Sequence, residues 1–194
     1  MRPVSAAACA FAAALAAALA ARTARAAPPG SAPGPAHLEL EPQVGYAAAL
    51  TTGISPYGLF VGLGLRARPI GHLWVHTAAF SYGGGSEAGD GPTVTYRSRE
   101  RAYAMALGAS WRFAPGRFFV EPGVEVGAAW IRGFTSVTPA SLRDEHVAGN
   151  VGPVLRLGVR LSGLALGIEG AGLYVPLTAA APVLRAAAIV AIPF

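Results

Sequence analysis

Residues Arg99 to Phe113 read Arg-Glu-Arg-Ala-Tyr-Ala-Met-Ala-Leu-Gly-Ala-Ser-Trp-Arg-Phe, and their character alternates with a period of two. Alternation over this length predicts a β-strand with two unlike faces. One face is bulky and mostly apolar, and it carries Arg99, Arg101, Tyr103, Met105, Leu107, Ala109, Trp111 and Phe113. The other face is small or polar, and it carries Glu100, Ala102, Ala104, Ala106, Gly108, Ser110 and Arg112.

Seven further segments repeat this period and are separated by glycine or proline. Each is long enough for a tilted strand to cross a bilayer, which takes about 9–11 residues. The third segment mixes apolar and polar residues on both faces, so the pattern does not predict its orientation. The predicted strands are Leu38–Leu50, Tyr57–Arg68, Leu73–Tyr82, Arg99–Phe113, Phe118–Arg132, Val147–Leu161, Leu164–Val175 and Val183–Phe194.

The connections between these strands alternate in length. The even-numbered ones are short: residues 69–72, 114–117 and 162–163. The odd-numbered ones are longer, and two of them, 83–98 and 133–146, are polar and rich in glycine. Bacterial transmembrane barrels have short periplasmic turns and longer external loops. The pattern therefore predicts that both chain termini are periplasmic.

The composition agrees with a membrane barrel. Hydrophobic residues make up 53% of the chain and charged residues only 13%, whereas charged residues are about 25% of a typical soluble domain. After the first residues, no apolar run reaches the ~18 residues of a transmembrane helix. We therefore predict an all-β fold, an eight-stranded antiparallel up-and-down transmembrane β-barrel spanning residues 38–194.

The amino terminus is predicted to be a cleavable signal peptide, residues 1–26. Arg2 precedes an apolar Ala/Leu-rich run over residues 4–21, and Ala24-Arg25-Ala26 offers small residues at a cleavage site. The one cysteine, Cys9, falls in this leader, so the mature part has no disulfide. Residues 27–37 are predicted to be a proline-rich linker.

The net charge does not favour nucleic-acid binding. The chain has 15 Arg and Lys against 10 Asp and Glu. Without Arg2, Arg22 and Arg25 of the leader, twelve arginines face ten acidic residues, which leaves a net charge of +2. We therefore expect no nucleic-acid partner.

The small faces of the predicted strands carry charges that alternate in sign from strand to strand. Since an eight-stranded barrel has a narrow interior filled by side chains, and buried charges are costly unless paired, we predict an Arg/Glu network that plugs the lower lumen. The alternative is the charged constriction of a pore. The residues are Glu39, Glu41, Arg66, Arg112, Glu121, Glu125, Arg156, Arg160, Glu169 and Arg185.

Specific pairings follow from antiparallel register. The tight turn at Ser162-Gly163 places Glu169 opposite Arg156. One register of the fifth and sixth predicted strands aligns Glu121 with Arg160 and Glu125 with Arg156.

Aromatic residues near the strand ends predict two rows at the two membrane interfaces. The row on the loop side comprises Tyr57, Tyr82, Tyr96, Trp130, Phe134 and Tyr174. The row on the turn side comprises Trp74, Trp111, Phe113, Phe119 and Phe194.

Four arginines share the loop end of the fourth and fifth predicted strands: Arg97, Arg99, Arg101 and Arg132. Arginine suits bidentate contacts to phosphate. The favoured interpretation is a solvated loop stem, and the alternative hypothesis is that these arginines contact lipopolysaccharide phosphates.

The last predicted strand ends in Phe194 after alternating apolar residues, and its outward face is Leu184, Ala186, Ala188, Val190, Ile192 and Phe194. This pattern resembles the closing-strand signal of outer-membrane barrels, and residues 38–194 as a whole resemble the small OmpA/OmpX-type barrels. The resemblance implies a Gram-negative outer membrane, lipid contacts and assembly by the barrel-assembly machinery, which would read Phe194. It also implies a monomer with a structural, envelope-maintenance or surface-interaction role.

Little in the sequence favours catalysis or metal binding. The histidines His37, His72, His76 and His146 show no metal-ligand spacing. Ser141, Asp144 or Glu145, and His146 occur in one predicted loop, but a triad needs a held geometry. We therefore predict no enzyme, no metal and no cofactor. The alternatives are a narrow pore or small-solute transporter, an outer-membrane lipid-modifying enzyme, and a soluble lipocalin-like barrel, whose lumen should be apolar.

Overall fold

The computed structural model of the chain describes residues 38–50, 55–90, 95–137, 140–174 and 182–194. The predicted signal peptide and proline-rich linker lie outside these residues. No helix among the described residues is long and apolar enough to span a bilayer.

The described residues form nine β-strands. Each predicted strand has a counterpart, and one short strand is additional. The strands are β1 (Leu38–Ala49), β2 (Gly58–Ile70), β3 (Leu73–Tyr82), β4 (Gly85–Asp90), β5 (Thr95–Trp111), β6 (Phe118–Val137), β7 (Ala140–Leu161), β8 (Leu164–Leu173) and β9 (Val183–Pro193).

Eight of these strands close into a barrel. Neighbouring strands pair in the order β3-β2-β1-β9-β8-β7-β6-β5, and β3 pairs with β5 to close the cylinder. All pairings are antiparallel. The prediction of an all-β, eight-stranded, antiparallel up-and-down barrel is confirmed. Closure matters because it leaves no strand edge unpaired around the cylinder.

The bulky faces point outward and the charged faces point inward, as predicted. Leu107 is 60% exposed and Leu155 is 46% exposed, whereas Arg156 and Glu125 are each 1% exposed. A soluble barrel would show the opposite arrangement, with its leucines inside. The exterior is therefore an apolar belt, and the interior holds the ionised side chains.

The orientation of β3, which the sequence left open, is set by its large rings. Trp74, His76, Phe80 and Tyr82 are buried inside the barrel, while Val75 is exposed on the outer face. The smaller residues of β3 therefore face outward, the reverse of the other strands.

The prediction of two aromatic rows was wrong for several members. Trp74, Tyr57, Tyr82 and Phe119 are buried inside the barrel because each has inward parity on its strand or packs over the lumen. Tyr96 also has the inward parity of β5, but it lies above the barrel. Exposed aromatic side chains on the outer face include Trp111, Phe113, Phe134, Tyr174 and Phe194.

Two predicted loops are largely strand. Residues 83–98 contain β4, which pairs with the first part of β5. Residues 133–146 are the tip of a long hairpin, since β6 continues to Val137 and β7 begins at Ala140. Glycine and polar residues in these segments indicated loops, but backbone pairing continues above the barrel. The extended parts of β4, β5, β6 and β7 form a four-stranded sheet, here called the projecting sheet: residues 85–90, 95–101, 132–137 and 140–145.

Candidate functional site

Nine of the ten predicted lumen charges are buried in the barrel, and the tenth, Arg160, is exposed. The buried set is Glu39, Glu41, Arg66, Arg112, Glu121, Glu125, Arg156, Glu169 and Arg185. Alternation on seven strands brings them to one region, and we call these nine side chains the lumen network. Arg160 forms no ion pair with a described residue, because it lies below the network at the end of β7.

Two arginines hold the lower part of the network. Arg112 donates from Nη1 and Nη2 to the two carboxylate oxygens of Glu39 at 2.8 and 2.9 Å, and from Nε to Glu121 at 2.7 Å. Arg66 donates to Glu39 at 3.3 Å, to Glu41 at 3.0 Å and also to Glu121. Bidentate contacts of this kind fix the geometry as well as the charge balance.

Two further arginines hold the upper part. Arg185 donates to both oxygens of Glu125, at 3.0 and 2.7 Å, and to Glu169 at 2.8 Å. Arg156 donates from Nε to Glu169 at 2.6 Å. It also lies 3.4 Å from Glu41 and 3.7 Å from Glu121, which joins the upper part to the lower part. The lumen network is therefore continuous.

One predicted register is correct and the other is wrong. Glu169 lies opposite Arg156, as the tight turn at Ser162-Gly163 required. Glu121, however, lies opposite Arg156 and not Arg160, and Glu125 lies opposite Gly152. The four-residue shift arises because the β6–β7 hairpin turns between Val137 and Ala140, not across a long loop. An even shift keeps every side chain on its predicted face.

Aromatic rings stack on the guanidinium groups. The Arg112 guanidinium carbon lies 4.1 Å from the ring centre of Trp74 and 4.8 Å from that of Phe119. The guanidinium of Arg185 lies 4.4 Å from the ring centre of Phe80. These cation–π contacts stabilise buried arginines beyond their ion pairs. Trp74 and Phe80 were not predicted as lumen residues, because both faces of the third segment mix apolar and polar residues.

The lumen is packed on both sides of the network. Towards the short turns, Phe119 packs with Ala165 and Ala191. Towards the longer connections, Tyr57 and Tyr82 meet edge to face at 5.1 Å. A cavity with room for about one water molecule lies beside these rings, over Glu125 and Arg185.

Two polar residues of the lumen centre were not predicted. His76 is buried, with its Nε2 atom 3.6 Å from Glu125 Oε2. Gln43 is buried nearby on β1, and neither side chain forms a hydrogen bond to a described residue. No group of three or more metal-ligating side chains occurs in the part of the chain that the structure describes.

The four arginines of the phosphate-contact hypothesis lie together on the outward face of the projecting sheet. Register places Arg101 opposite Arg132, and Arg99 opposite Phe134. A fifth arginine, Arg143 on β7, lies opposite Phe134 from the other side. Arg143 was not predicted to join them, because it lies in a segment that was predicted to be a loop. We call Arg97, Arg99, Arg101, Arg132 and Arg143 the arginine face.

The opposite face of the projecting sheet is acidic, with Glu87, Glu100 and Asp144. Tyr96 donates a hydrogen bond to Glu87 at 2.9 Å, and this bond raises the pKa of the tyrosine hydroxyl. The arginines of the projecting sheet thus lie on one face, and these three acidic residues lie on the other.

The candidate catalytic residues of the predicted loop do not assemble. His146 Nδ1 lies 3.4 Å from Asp144 Oδ2, but Ser141 has the opposite parity on β7 and therefore lies on the other face of the sheet. The described residues thus hold no Ser-His-Asp arrangement at these positions.

The last residue, Phe194, is exposed on the outer face, and its backbone N–H donates to the Leu38 carbonyl at 3.2 Å. Proline at position 193 is tolerated because it lies at the end of the strand. The phenylalanine side chain is accessible from outside the barrel.

An apolar exterior, a charged interior and closure of eight antiparallel strands define the class of outer-membrane-type β-barrel folds. No family model and no curated protein matches this sequence. The fold is similar to the N-terminal barrel of Pseudomonas aeruginosa OprF, with a TM-score of 0.52, 14% identity, and coverage of 83% of this chain and 99% of that chain.

Two other solved structures show the same similarity. Neisserial surface protein A gives a TM-score of 0.51 at 12% identity, covering 81% of this chain and 96% of that chain. A major outer membrane protein from Thermus thermophilus gives 0.57 at 12% identity, covering 81% and 99%. The shared property is the fold.

Breaking the lumen network is expected to be costly. Arg185→Leu leaves two buried carboxylates without their shared partner, and we expect a loss of about 3–5 kcal/mol in the free energy of unfolding. The measurement is urea unfolding of the protein refolded in lipid vesicles. Arg132→Leu removes an arginine from the exposed pair with Glu145 and serves as control, with an expected loss below about 1 kcal/mol. Equal losses of unfolding free energy in the two variants would contradict the burial of Arg185 in the lumen network.

Proposed function

We propose that the mature chain is an integral outer-membrane protein of a Gram-negative bacterium with a structural, envelope-maintenance or surface-interaction role. The observation that carries this proposal is the exposed apolar belt around a closed cylinder. Leu59 is 70% exposed and Ile168 is 62% exposed, and many large side chains around the barrel are similar. Soluble proteins rarely expose such a continuous apolar surface, whereas a lipid bilayer surrounds it favourably.

The orientation follows from the connections. The start of β1 at Leu38, the last residue Phe194 and the three short turns lie at one end of the barrel, and the projecting sheet lies at the other. External connections are the longer ones in barrels of this kind, so the termini are periplasmic and the projecting sheet faces the cell exterior. Contacts with surface partners would then be made by the projecting sheet.

The lumen supports a structural role more than a transport role. Four arginines and five glutamates fill its centre with direct contacts, and rings pack on both sides of them. We infer that the lumen network is a salt-bridged plug. A narrow pore or small-solute transporter is the alternative, since charged side chains also line selective constrictions. No observation favours a lipid-modifying enzyme.

The proposed partners follow from two exposed features. The arginine face lies directly above the outward pair Tyr103 and Trp130, at the height of lipid headgroups, and its proposed partner is lipopolysaccharide. Phe194, exposed at the end of the closing strand, is the proposed signal for the barrel-assembly machinery. We propose that the folded barrel is a monomer.

Membrane insertion is tested by a charge placed on the belt. Leu107→Arg puts a guanidinium on the outer face in mid-belt, where we expect a loss of about 2–4 kcal/mol of folding free energy in lipid vesicles. Leu142→Arg, exposed on the projecting sheet, is the matched control and should have little effect. The wild-type protein should also fractionate with the outer membrane and migrate differently on gels with and without boiling. Equal folding free energies for the Leu107→Arg and Leu142→Arg variants would argue against a bilayer around the apolar belt.

The plug is tested by conductance. The wild-type protein reconstituted in a planar bilayer should show no steady unitary current, because ion-paired side chains and rings fill the lumen. A known porin, added afterwards to the same bilayer, is the positive control. Reproducible unitary steps from the purified wild-type protein would favour the pore instead.

A further inference from the structure

The arginine face is arranged in rows. Directly above the outward aromatic pair comes a row of Arg101, Arg132 and Glu145 on β5, β6 and β7. The next row is Arg99, Phe134 and Arg143, and the one above it is Arg97, Ser136 and Ser141. Successive rows are two residues apart, or about 7 Å along the strands. Positive charge is therefore present at more than one height above the belt.

Few acidic groups compensate this charge. On the outward face of the projecting sheet, register places five arginines and two acidic residues, Glu145 on β7 and Asp90 at the end of β4. Glu145 accepts from Arg132 Nε and lies 2.9 Å from its Nη2. Arg99, Arg101 and Arg143 have no acidic partner among the described residues. A soluble surface normally mixes the two signs, so this face fits an anionic partner.

The cross-strand pairing adds a second argument. Arg101 and Arg132 are direct neighbours on one face, and like charges directly opposite each other destabilise a sheet. The pair is favourable when an anion lies against both guanidinium groups. Arg132 is additionally held by the ring of Trp130, 5.0 Å from its guanidinium carbon. The lower row therefore presents two adjacent guanidinium groups, and its one carboxylate, Glu145, contacts only Arg132.

The upper row has a different composition. Phe134 is 41% exposed and lies between Arg99 and Arg143, which are two strands apart, or about 10 Å. A ring flanked by two arginines offers an apolar surface for a sugar and two donors for anionic groups on it. This spacing suits a ligand that extends away from the membrane.

We propose that the arginine face binds a phosphorylated glycolipid of the outer leaflet whose anionic groups lie at two depths. Arg101 and Arg132 take the phosphate nearest the acyl chains, and Arg99 and Arg143 take anionic groups on the outer sugars. This inference rests on the proposed outer-membrane location and lipopolysaccharide partner, and it adds which row of the arginine face, completed by Arg143, takes which anionic group.

The test uses the refolded mature protein in detergent micelles and isothermal titration with four ligands. These are lipid A with both phosphates, the same lipid A without phosphates, lipopolysaccharide with a phosphorylated core, and inorganic phosphate. For R101Q/R132Q we expect the Kd for both phosphorylated lipids to rise roughly tenfold or more, since each charge-assisted contact contributes a factor of that order. For R99Q/R143Q we expect that rise only with the phosphorylated core.

Two controls separate charge from geometry. R117Q removes one exposed arginine at the opposite end of the barrel and should leave every Kd unchanged. R101K/R132K keeps both charges but cannot make bidentate contacts, so its Kd should fall between those of the wild type and R101Q/R132Q. Each variant is first checked for heat-modifiable migration, which shows that its barrel is folded.

Several results would overturn the inference. If R101Q/R132Q binds lipid A as tightly as R117Q does, the arginine face is not the site. If R99Q/R143Q weakens the binding of lipid A and of core-phosphorylated lipopolysaccharide equally, the assignment of the two arginine pairs to different depths is wrong. If inorganic phosphate binds as tightly as lipid A, the arginine face recognises free phosphate and the proposed lipid ligand is wrong. Loss of outer-membrane fractionation in the wild-type protein would instead refute the proposed function.

Discussion

Neutralising buried charge inside a closed cylinder is the constraint on which this structure depends. An ionised side chain removed from water costs several kcal/mol unless its partners are in place. The partners in the lumen network come from seven strands, and Arg112 and Glu39, which share two hydrogen bonds, are 73 residues apart. An incomplete sheet would leave some of these charges without partners in an apolar surrounding. Pairing of all the interior charges therefore requires closure of the barrel.

The rings around the network fit because small residues lie opposite them. Phe80 pairs in register with Gly62, His76 with Gly108, and Phe119 with Gly158. A Cβ atom at each of these glycines would collide with the ring across the strand. Glycine therefore lets a narrow lumen hold large side chains at native density. The glycines lie opposite the rings only in this register. These contacts therefore restrict which residues pair across the strands as well as how much side-chain volume the lumen holds.

Much of the fold was predictable because the two-residue period shows which residues share a face of each strand. Leu107 and Arg156 were assigned correctly from alternation alone, and the Ser162-Gly163 turn fixed the register of Arg156 and Glu169. The register of Glu121 was not predictable, because the connection between its strand and the next folds into more strand. Had the glycines been read together with the rings, Phe80 and His76 would have been assigned inward. The candidate site on the projecting sheet was predictable only in part for the same reason: Arg97, Arg99 and Arg101 lie at alternate positions and were found together, but Arg143 depends on where the hairpin turns.

Three environments follow one another along the outward face of a single strand. In the proposed outer-membrane location, their order would set the position of the barrel along the membrane normal. Along β5 the outward face changes from apolar at Leu107, to aromatic at Tyr103, to cationic at Arg101. Apolar residues are favourable in hydrocarbon, aromatic rings at the interface, and arginines among phosphates. A shift of the barrel by one row would put Arg101 at the present height of Tyr103, or Tyr103 at the present height of Arg101. Within the barrel, the inward face of the same strand has no such gradient, because its neighbours there are lumen side chains. In the proposed location the two faces of one strand therefore have separate roles: the inner face supplies contacts that hold the cylinder closed, and the outer face would set the depth of the barrel in the bilayer.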